Sequence, residues 1–153
     1  MSFDVDIKRF LLVYPVLLLL LSASQLFFHR IYMLPYYNQL GAIFYAGAEI
    51  NFLLLVLSAA LHAFLFQLVY VICQAQFPKL KGGLVFGLLL ALLLFLPQTL
   101  FQMAAVSQGA LRPVLGLWLY FQLVANLMLG AVLGVAYSSS DVTQPVPPPE
   151  KRS

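Results

Sequence analysis

The chain has 153 residues, of which 63% are hydrophobic and 8% are charged, and its formal net charge at pH 7 is +3. Its mean hydropathy is +0.96, so it has too little polar surface to coat a soluble globule of this length. Its Lys and Arg residues are not interleaved with aromatic residues into a basic patch of the kind that binds nucleic acid. The composition therefore predicts a protein whose first partner is the lipid bilayer, with no nucleic acid.

Four stretches without Asp, Glu, Lys or Arg are each long enough to cross a bilayer: residues 10–28, 52–73, 84–104 and 113–137. A hydrocarbon core about 30 Å thick takes about 20 helical residues, and a charge buried in it is costly. We therefore predict an all-α fold, a four-helix transmembrane bundle within residues 1–137. The remaining residues, 138–153, are rich in Ser and Pro and are expected to form a disordered tail.

The first stretch also has features of a secretory signal peptide, with a basic start, an apolar run and the small residues 22–24. Against cleavage, the apolar run continues through residues 26–28, and Pro15 interrupts what would be its hydrophobic region. We therefore expect this almost purely apolar span to remain as an uncleaved helix.

The basic residues predict the orientation of the spans. With four spans, six of the eight Lys and Arg residues fall on the same side of the membrane. Basic residues are more frequent in cytoplasmic loops, so we expect this side to be the cytoplasmic one. Both termini are therefore expected in the cytoplasm. The longest connection, residues 29–48, then lies outside, where its tyrosines favour a segment along the membrane surface. No Asn-x-Ser/Thr acceptor occurs, which is compatible with the bacterial inner membrane, the location we expect.

Polar residues inside the spans mark where specific contacts can form. In the second span Asn51, Ser58, His62 and Cys73 share a narrow helical stripe at 100° per residue. An amide or imidazole without a partner in hydrocarbon costs several kcal/mol by transfer estimates. The stripe is therefore expected to face the other helices.

Depth along the spans predicts a polar cluster of four residues. His62 and Asn126 each lie near the middle of their spans, Gln122 is one turn from Asn126, and Gln98 reaches a similar level from the third span. Such residues usually hold helices together. His62 leaves open a ligand or proton pathway, because imidazole can change charge near neutral pH.

Small residues recur every fourth position in the last two spans, at Gly83, Gly87 and Ala91 in one and at Gly130 and Gly134 in the other. Such small faces let helix backbones approach closely. We expect them to pack within the molecule, and a homo-oligomer interface is the alternative.

At the outer rim, Glu49 precedes the second span, and Arg30 and Arg112 fall on the same side. These three are expected to form interfacial ion pairs, each stabilising by about 1 kcal/mol or less. They do not make a catalytic set, which would need a second acid, an activated nucleophile or a metal nearby.

Cofactor and enzyme signatures are missing from the sequence. His29, the other histidine, lies at a different depth from His62, which disfavours a bis-histidine haem site. Cys73 is the single cysteine, which excludes dithiol chemistry. With no catalytic motif recognised, we expect no catalytic residues, no metal and no cofactor.

The sequence therefore favours a non-enzymatic accessory, assembly or scaffold component of a membrane complex, whose partners are other membrane subunits or a second copy of the chain. The alternative is a small transporter or a ligand- or proton-binding membrane protein that uses the cluster around His62.

Overall fold

The computed structural model describes residues 6–39, 52–105 and 111–138, and nearly all of these are helical. Four helices are long and apolar enough to cross a membrane. The helices are α1 at Ile7–Phe27, a short α2 at Leu34–Gln39, α3 at Phe52–Cys73, α4 at Lys79–Ala105 and α5 at Leu111–Ala136. The predicted all-α fold with four apolar spans is confirmed for this part of the chain. The predicted tail lies outside it from residue 139 onward.

Two helices, α1 with its π-helical continuation and α4, extend beyond both predicted ends, whereas α3 has the predicted bounds. α1 begins at Ile7, where the Asp6 carboxylate caps it by accepting the backbone N–H of Arg9 at 3.1 Å, and a π-helical turn at Phe28–Tyr32 continues it. α4 begins at Lys79 rather than at residue 84. A search for uncharged residues finds only the part of a helix that lies in hydrocarbon, whereas a helix can continue into the interface, where charged side chains stay hydrated.

α4 and α5 pack backbone against backbone through the predicted glycine faces. A Cβ atom at Gly83 would collide with the carbonyl oxygen of Gly130, and one at Gly87 would collide with the carbonyl oxygen of Asn126. At Gly134 a Cβ would meet the carbonyl oxygen of Lys79 at 2.5 Å. The small faces therefore meet within one molecule, as expected, and they join the two helices over several turns.

α1 packs on α3 and forms the second pair. Leu17 and Leu21 of α1 belong to one buried cluster with Ala59 and Ala63 of α3. Pro15 lies within α1, and the helix continues through it. The two pairs meet where α1 approaches α5.

Two hydrogen bonds between residues far apart in the sequence join α1 to α3. The Tyr14 hydroxyl donates to the carbonyl oxygen of Ala60 at 3.2 Å, and the Gln67 amide donates to the carbonyl oxygen of Phe10 at 3.1 Å. The Gln67 amide also donates to the Tyr137 hydroxyl at 3.1 Å. Hydrogen bonds between spans avoid unpaired polar groups in hydrocarbon, so they fix which helices are neighbours.

α3 and α4 are consecutive in the chain but are not packed backbone to backbone. A tight connection joins them, in which the Tyr70 hydroxyl donates to the carbonyl oxygen of Phe77 at 2.9 Å. Above this connection Phe66 and Phe86 bridge the two helices edge to face, with ring centroids 5.2 Å apart. Between α3 and α4 runs an apolar groove of about 470 Å³, lined by Ser58, Leu61, His62, Leu65, Phe66, Val69, Leu90, Leu94 and Phe95. We call it the α3–α4 groove.

Candidate functional site

The two residues placed by depth near the middle of the bundle are joined by a hydrogen bond. Nε2 of His62 lies 3.1 Å from Oδ1 of Asn126, and the Asn126 side chain is completely buried. The Asn126 amide nitrogen donates to the backbone carbonyl of Gln122 at 2.7 Å, which turns the amide oxygen toward His62. This arrangement is satisfied when neutral His62 carries its proton on Nε2 and donates it to Asn126.

The glycine contact between α4 and α5 holds Asn126 in this position. Because Gly87 lies against the backbone of Asn126, α5 is held in one rotation about its axis, with the Asn126 side chain toward α3. Phe95 of α4 stacks on the other side of the site, with its ring centroid 5.7 Å from that of His62 and the ring planes 27° apart. His62 is thus held by an amide from one helix and an aromatic ring from another.

The other two members of the predicted cluster lie elsewhere. Gln98 and Gln122 line a separate cleft of about 240 Å³, and neither side chain hydrogen-bonds to His62 or Asn126. Among the described residues, His62 and Asn126 thus form a hydrogen-bonded pair while Gln98 and Gln122 line the cleft, because depth along a helix does not specify the direction of a side chain around it. A functional role for these four residues stays a prediction. The lining residues are Gln25, Phe28, His29, Leu55, Ser58, Phe95, Gln98, Thr99, Gln102, Trp118, Phe121 and Gln122. We call this the polar cleft.

The polar cleft lies near one end of the bundle. Ser58 is six residues after the start of α3, Gln102 is three residues before the end of α4, and Trp118 is seven residues after the start of α5. At 1.5 Å per residue, these positions lie about 5 to 10 Å below the helix ends. Phe95 and Gln122 lie ten and eleven residues from the same helix ends, so the cleft reaches inward to about the level of His62, and Asn126 lies deeper.

Two amide oxygens in the polar cleft are buried without a partner among the described residues. Gln25 is 6% exposed, and its Oε1 accepts no hydrogen bond there. Gln122 Oε1 is likewise buried and unpaired. An unpaired buried polar atom costs about 1–3 kcal/mol. Both side chains therefore keep hydrogen-bonding capacity that the described residues do not use.

An aromatic network borders the polar cleft. The Trp118 indole N–H donates to the Tyr37 hydroxyl at 3.0 Å, and that hydroxyl lies 2.6 Å from Nδ1 of His29. The network is satisfied when Tyr37 donates to His29, which then carries its own proton on Nε2. Phe28 stacks on Phe121 with ring centroids 4.1 Å apart. These contacts tie α1, α2 and α5 together beside the cleft.

Burial raises the pKa of Tyr37 to about 12, although the hydrogen bond from Trp118 acts in the opposite direction. Its side chain belongs to a second hydrophobic cluster with Phe28, Met33 and Val114, which keeps water away from the phenol. Tyr37 is therefore a neutral hydrogen-bonding group near neutral pH, and α2 is attached to the bundle through it.

The remaining candidate residues fall in several places. Arg30 and Arg112 are exposed, and Glu49 lies outside the described residues, so the outer-rim ion pairing stays a prediction. In the polar stripe, Ser58 lines both the polar cleft and the α3–α4 groove, Cys73 is half-buried against the core, and Asn51 lies outside the described residues.

Sequence reasoning missed Gln25 and Gln67. The first span is almost purely apolar, yet Gln25 lines the polar cleft and Tyr14 bonds α3. Gln67 is five residues from His62, or 140° around the helix, and bonds Phe10 of α1 and Tyr137, which directly follows α5. The sequence does carry a signal for Gln25 and Gln67, because any uncharged polar residue in a span needs a partner inside the bundle.

Neither a metal site among the described residues nor a known relative indicates the function. Within residues 6–39, 52–105 and 111–138, no three His, Cys, Asp or Glu side chains gather as they would around a metal ion. No protein-family model matches the chain, and comparison with curated proteins and with solved structures gives no match either. Function is therefore inferred from the geometry of the described residues.

The raised pKa of Tyr37 predicts a specific loss of stability at high pH. The ordinary tyrosine pKa of 10.0 applies to the unfolded chain, so the unfolded state loses this proton first as pH rises. The contribution of Tyr37 to stability is complete below the ordinary pKa and is lost as pH rises toward about 12. In SDS-induced unfolding, Tyr37→Phe should therefore be less stable than the unaltered protein at about pH 8, with a smaller difference at about pH 11.5. A difference that stays constant over this range would contradict the assignment.

Proposed function

We propose that the protein is a non-enzymatic accessory, assembly or scaffold component of a membrane complex, with other membrane subunits or a second copy as partners. The observation that carries the proposal is that several polar side chains inside the bundle bond across to another helix or its flanking residues. His62 bonds Asn126, Gln67 bonds Phe10 and Tyr137, and Tyr14 bonds Ala60.

This pattern is typical of helix association rather than transport. Hydrogen bonds between membrane helices stabilise by about 0.6 kcal/mol on average and decide which helices are neighbours. A transport pathway needs polar groups left available at the midplane, often charged ones. The His62 imidazole and the Asn126 amide are instead occupied with each other. The geometry therefore favours a structural role for the His62–Asn126 pair.

The proposal includes a location and an orientation. The protein crosses the membrane four times, with both termini in the cytoplasm, and the bacterial inner membrane is the compartment we propose. Support comes from the basic residues at the starts of α1 and α4, namely Lys8, Arg9, Lys79 and Lys81. The polar cleft, at the opposite helix ends, then belongs to the outer half of the bilayer.

Protease access tests this orientation. A tag placed after Ser153 should be cleaved in inside-out membrane vesicles and protected in intact spheroplasts, because the tag would lie in the cytoplasm. Cleavage in spheroplasts with intact membranes would contradict it. A periplasmic protein and a cytoplasmic protein in the same samples serve as controls for membrane integrity.

A second function, binding of a ligand within the membrane, is supported by a different observation. The polar cleft holds two buried amide oxygens without partners among the described residues, on Gln25 and Gln122. The alternative drawn from the sequence centred such a site on His62. The unpaired oxygens instead support a site at the glutamines of the polar cleft, and His62 lies beside the α3–α4 groove.

The accessory role is tested by extracting the tagged protein with its surrounding lipid into polymer nanodiscs and measuring the native mass of the particles. We expect the 17.0 kDa chain to be found at a fixed ratio with a second polypeptide or a second copy. His62→Leu should lower that ratio or the thermal stability of the particle, because Asn126 loses its partner. Leu57→Ala, at an exposed position of the same helix that lines neither the cleft nor the groove, should not.

Reconstitution into liposomes tests whether the protein is a transporter instead. A scaffold should leave solute and proton gradients across the liposome membrane intact, with or without His62. A lone monodisperse protein that carries a solute, and loses this only on His62→Leu, would contradict the accessory role.

A further inference from the structure

We propose that the bundle binds a single-chain amphiphile, with an uncharged hydroxyl- or amide-bearing head group in the polar cleft and an apolar tail in the α3–α4 groove. This inference rests on the ligand-binding function above. It adds the chemical class of the ligand and the path that the ligand follows through the bundle.

The polar cleft and the α3–α4 groove adjoin. Ser58 and Phe95 line both of them. On one side of these two residues the lining is rich in glutamine, and on the other side it is almost entirely aliphatic and aromatic. A ligand that fills both spaces must therefore have one polar end and one apolar end.

The lining of the polar cleft restricts the charge of the head group. The polar side chains of the cleft are amides, hydroxyls and one histidine, namely Gln25, Gln98, Gln102, Gln122, Ser58, Thr99 and His29. Among the described residues, the lining contains no Asp, Glu, Lys or Arg to pair with an ionic head. An ion that leaves water without an opposite charge is strongly disfavoured. The lining therefore suits a neutral head.

The lining also determines which hydrogen bonds a head group can form. Gln25, which is more than nine-tenths buried, and Gln122 both line the cleft, and each keeps a buried amide oxygen without a partner among the described residues. A glutamine amide offers an acceptor on one side and two donors on the other, and it can turn over to present either. Hydroxyl and amide heads both donate and accept, so they can satisfy these groups in either orientation.

The volumes and depths of the cleft and the groove restrict the size of the ligand. The cleft measures about 240 Å³ and the groove about 470 Å³. Small-molecule sites usually measure about 300–1,000 Å³, so the cleft by itself suits a head group, and the two spaces together suit a larger molecule. The cleft lies a few turns below the helix ends while the groove runs deeper along α3 and α4, which matches a lipid with its head near the interface.

The chain carries its own probe for this site. Trp118 is the single tryptophan, and it lines the cleft. Its emission therefore reports on the cleft without interference from other indoles. In nanodiscs, titration with 1-decanoylglycerol should change Trp118 emission saturably, and glycerol alone should act at least tenfold more weakly because it has no tail.

Substitutions locate the response. Gln25→Leu and Thr99→Val should each raise the half-saturating concentration of 1-decanoylglycerol at least fivefold, and Val69→Phe should do the same by narrowing the groove. Ser24→Ala, next to Gln25 but outside the cleft and the groove, should leave the titration unchanged. Circular dichroism confirms that each variant is folded, and Thr99→Val, which preserves shape, keeps the test valid if Gln25→Leu does not fold.

Three outcomes would overturn the proposal in different ways. If decyl sulfate or decyltrimethylammonium binds as tightly as 1-decanoylglycerol and Gln25→Leu weakens it equally, ligand binding stands but the head-group chemistry is wrong. If glycerol binds as tightly, the site takes a small polar solute and not an amphiphile. If no probe gives a saturable response, the ligand-binding function fails as well.

Discussion

Backbone contact between α4 and α5 is the constraint on which the rest of the described structure depends. Gly83 and Gly130 approach so closely that neither position has room for a Cβ atom, and Gly87 lies against the backbone of Asn126. Without side chains to act as spacers, the two helices have one close-packed arrangement and little freedom to rotate against each other. That contact decides which residues of α5 face α3 and which face the cleft.

The same face of α5 changes in character along its length. Gln122, Asn126, Gly130 and Gly134 follow one another at four-residue spacing. The glycines hold α4 at one end of the bundle, Asn126 then bonds His62 on α3, and Gln122 lines the polar cleft. Beyond Gln122, bulky side chains such as Phe95 and Trp118 line the space between the elements instead of glycines. Close contact at one end and bulky side chains farther along together produce a polar cleft beside an apolar groove.

Composition and the lengths of the uncharged runs were enough to predict four apolar helices, because the bilayer imposes length and charge limits that can be read from sequence. The glycine faces were predictable for a similar reason, since small residues at four-residue spacing have few other uses. Depth along the helices brought His62 and Asn126 together correctly. It did not indicate that Gln98 and Gln122 line a cleft beside this pair, because amides at similar depth meet only if helix rotation and side-chain conformation allow it, and these come from the packed structure. Gln25 was overlooked because a single amide in an apolar run forms no pattern.

The most direct test of this account is the emission of Trp118 in Gly87→Ala, measured together with the free energy of unfolding. The added methyl group would overlap the carbonyl oxygen of Asn126, so α5 should shift and the protein should lose about 1–3 kcal/mol of stability. Trp118, on the same helix, should change its emission although it lies far from the substitution. Gly116→Ala is the control, because a Cβ there meets only Met103 Cε, at 3.7 Å. Unchanged emission and stability in folded Gly87→Ala would contradict the claim that the glycine contact sets the rotation of α5.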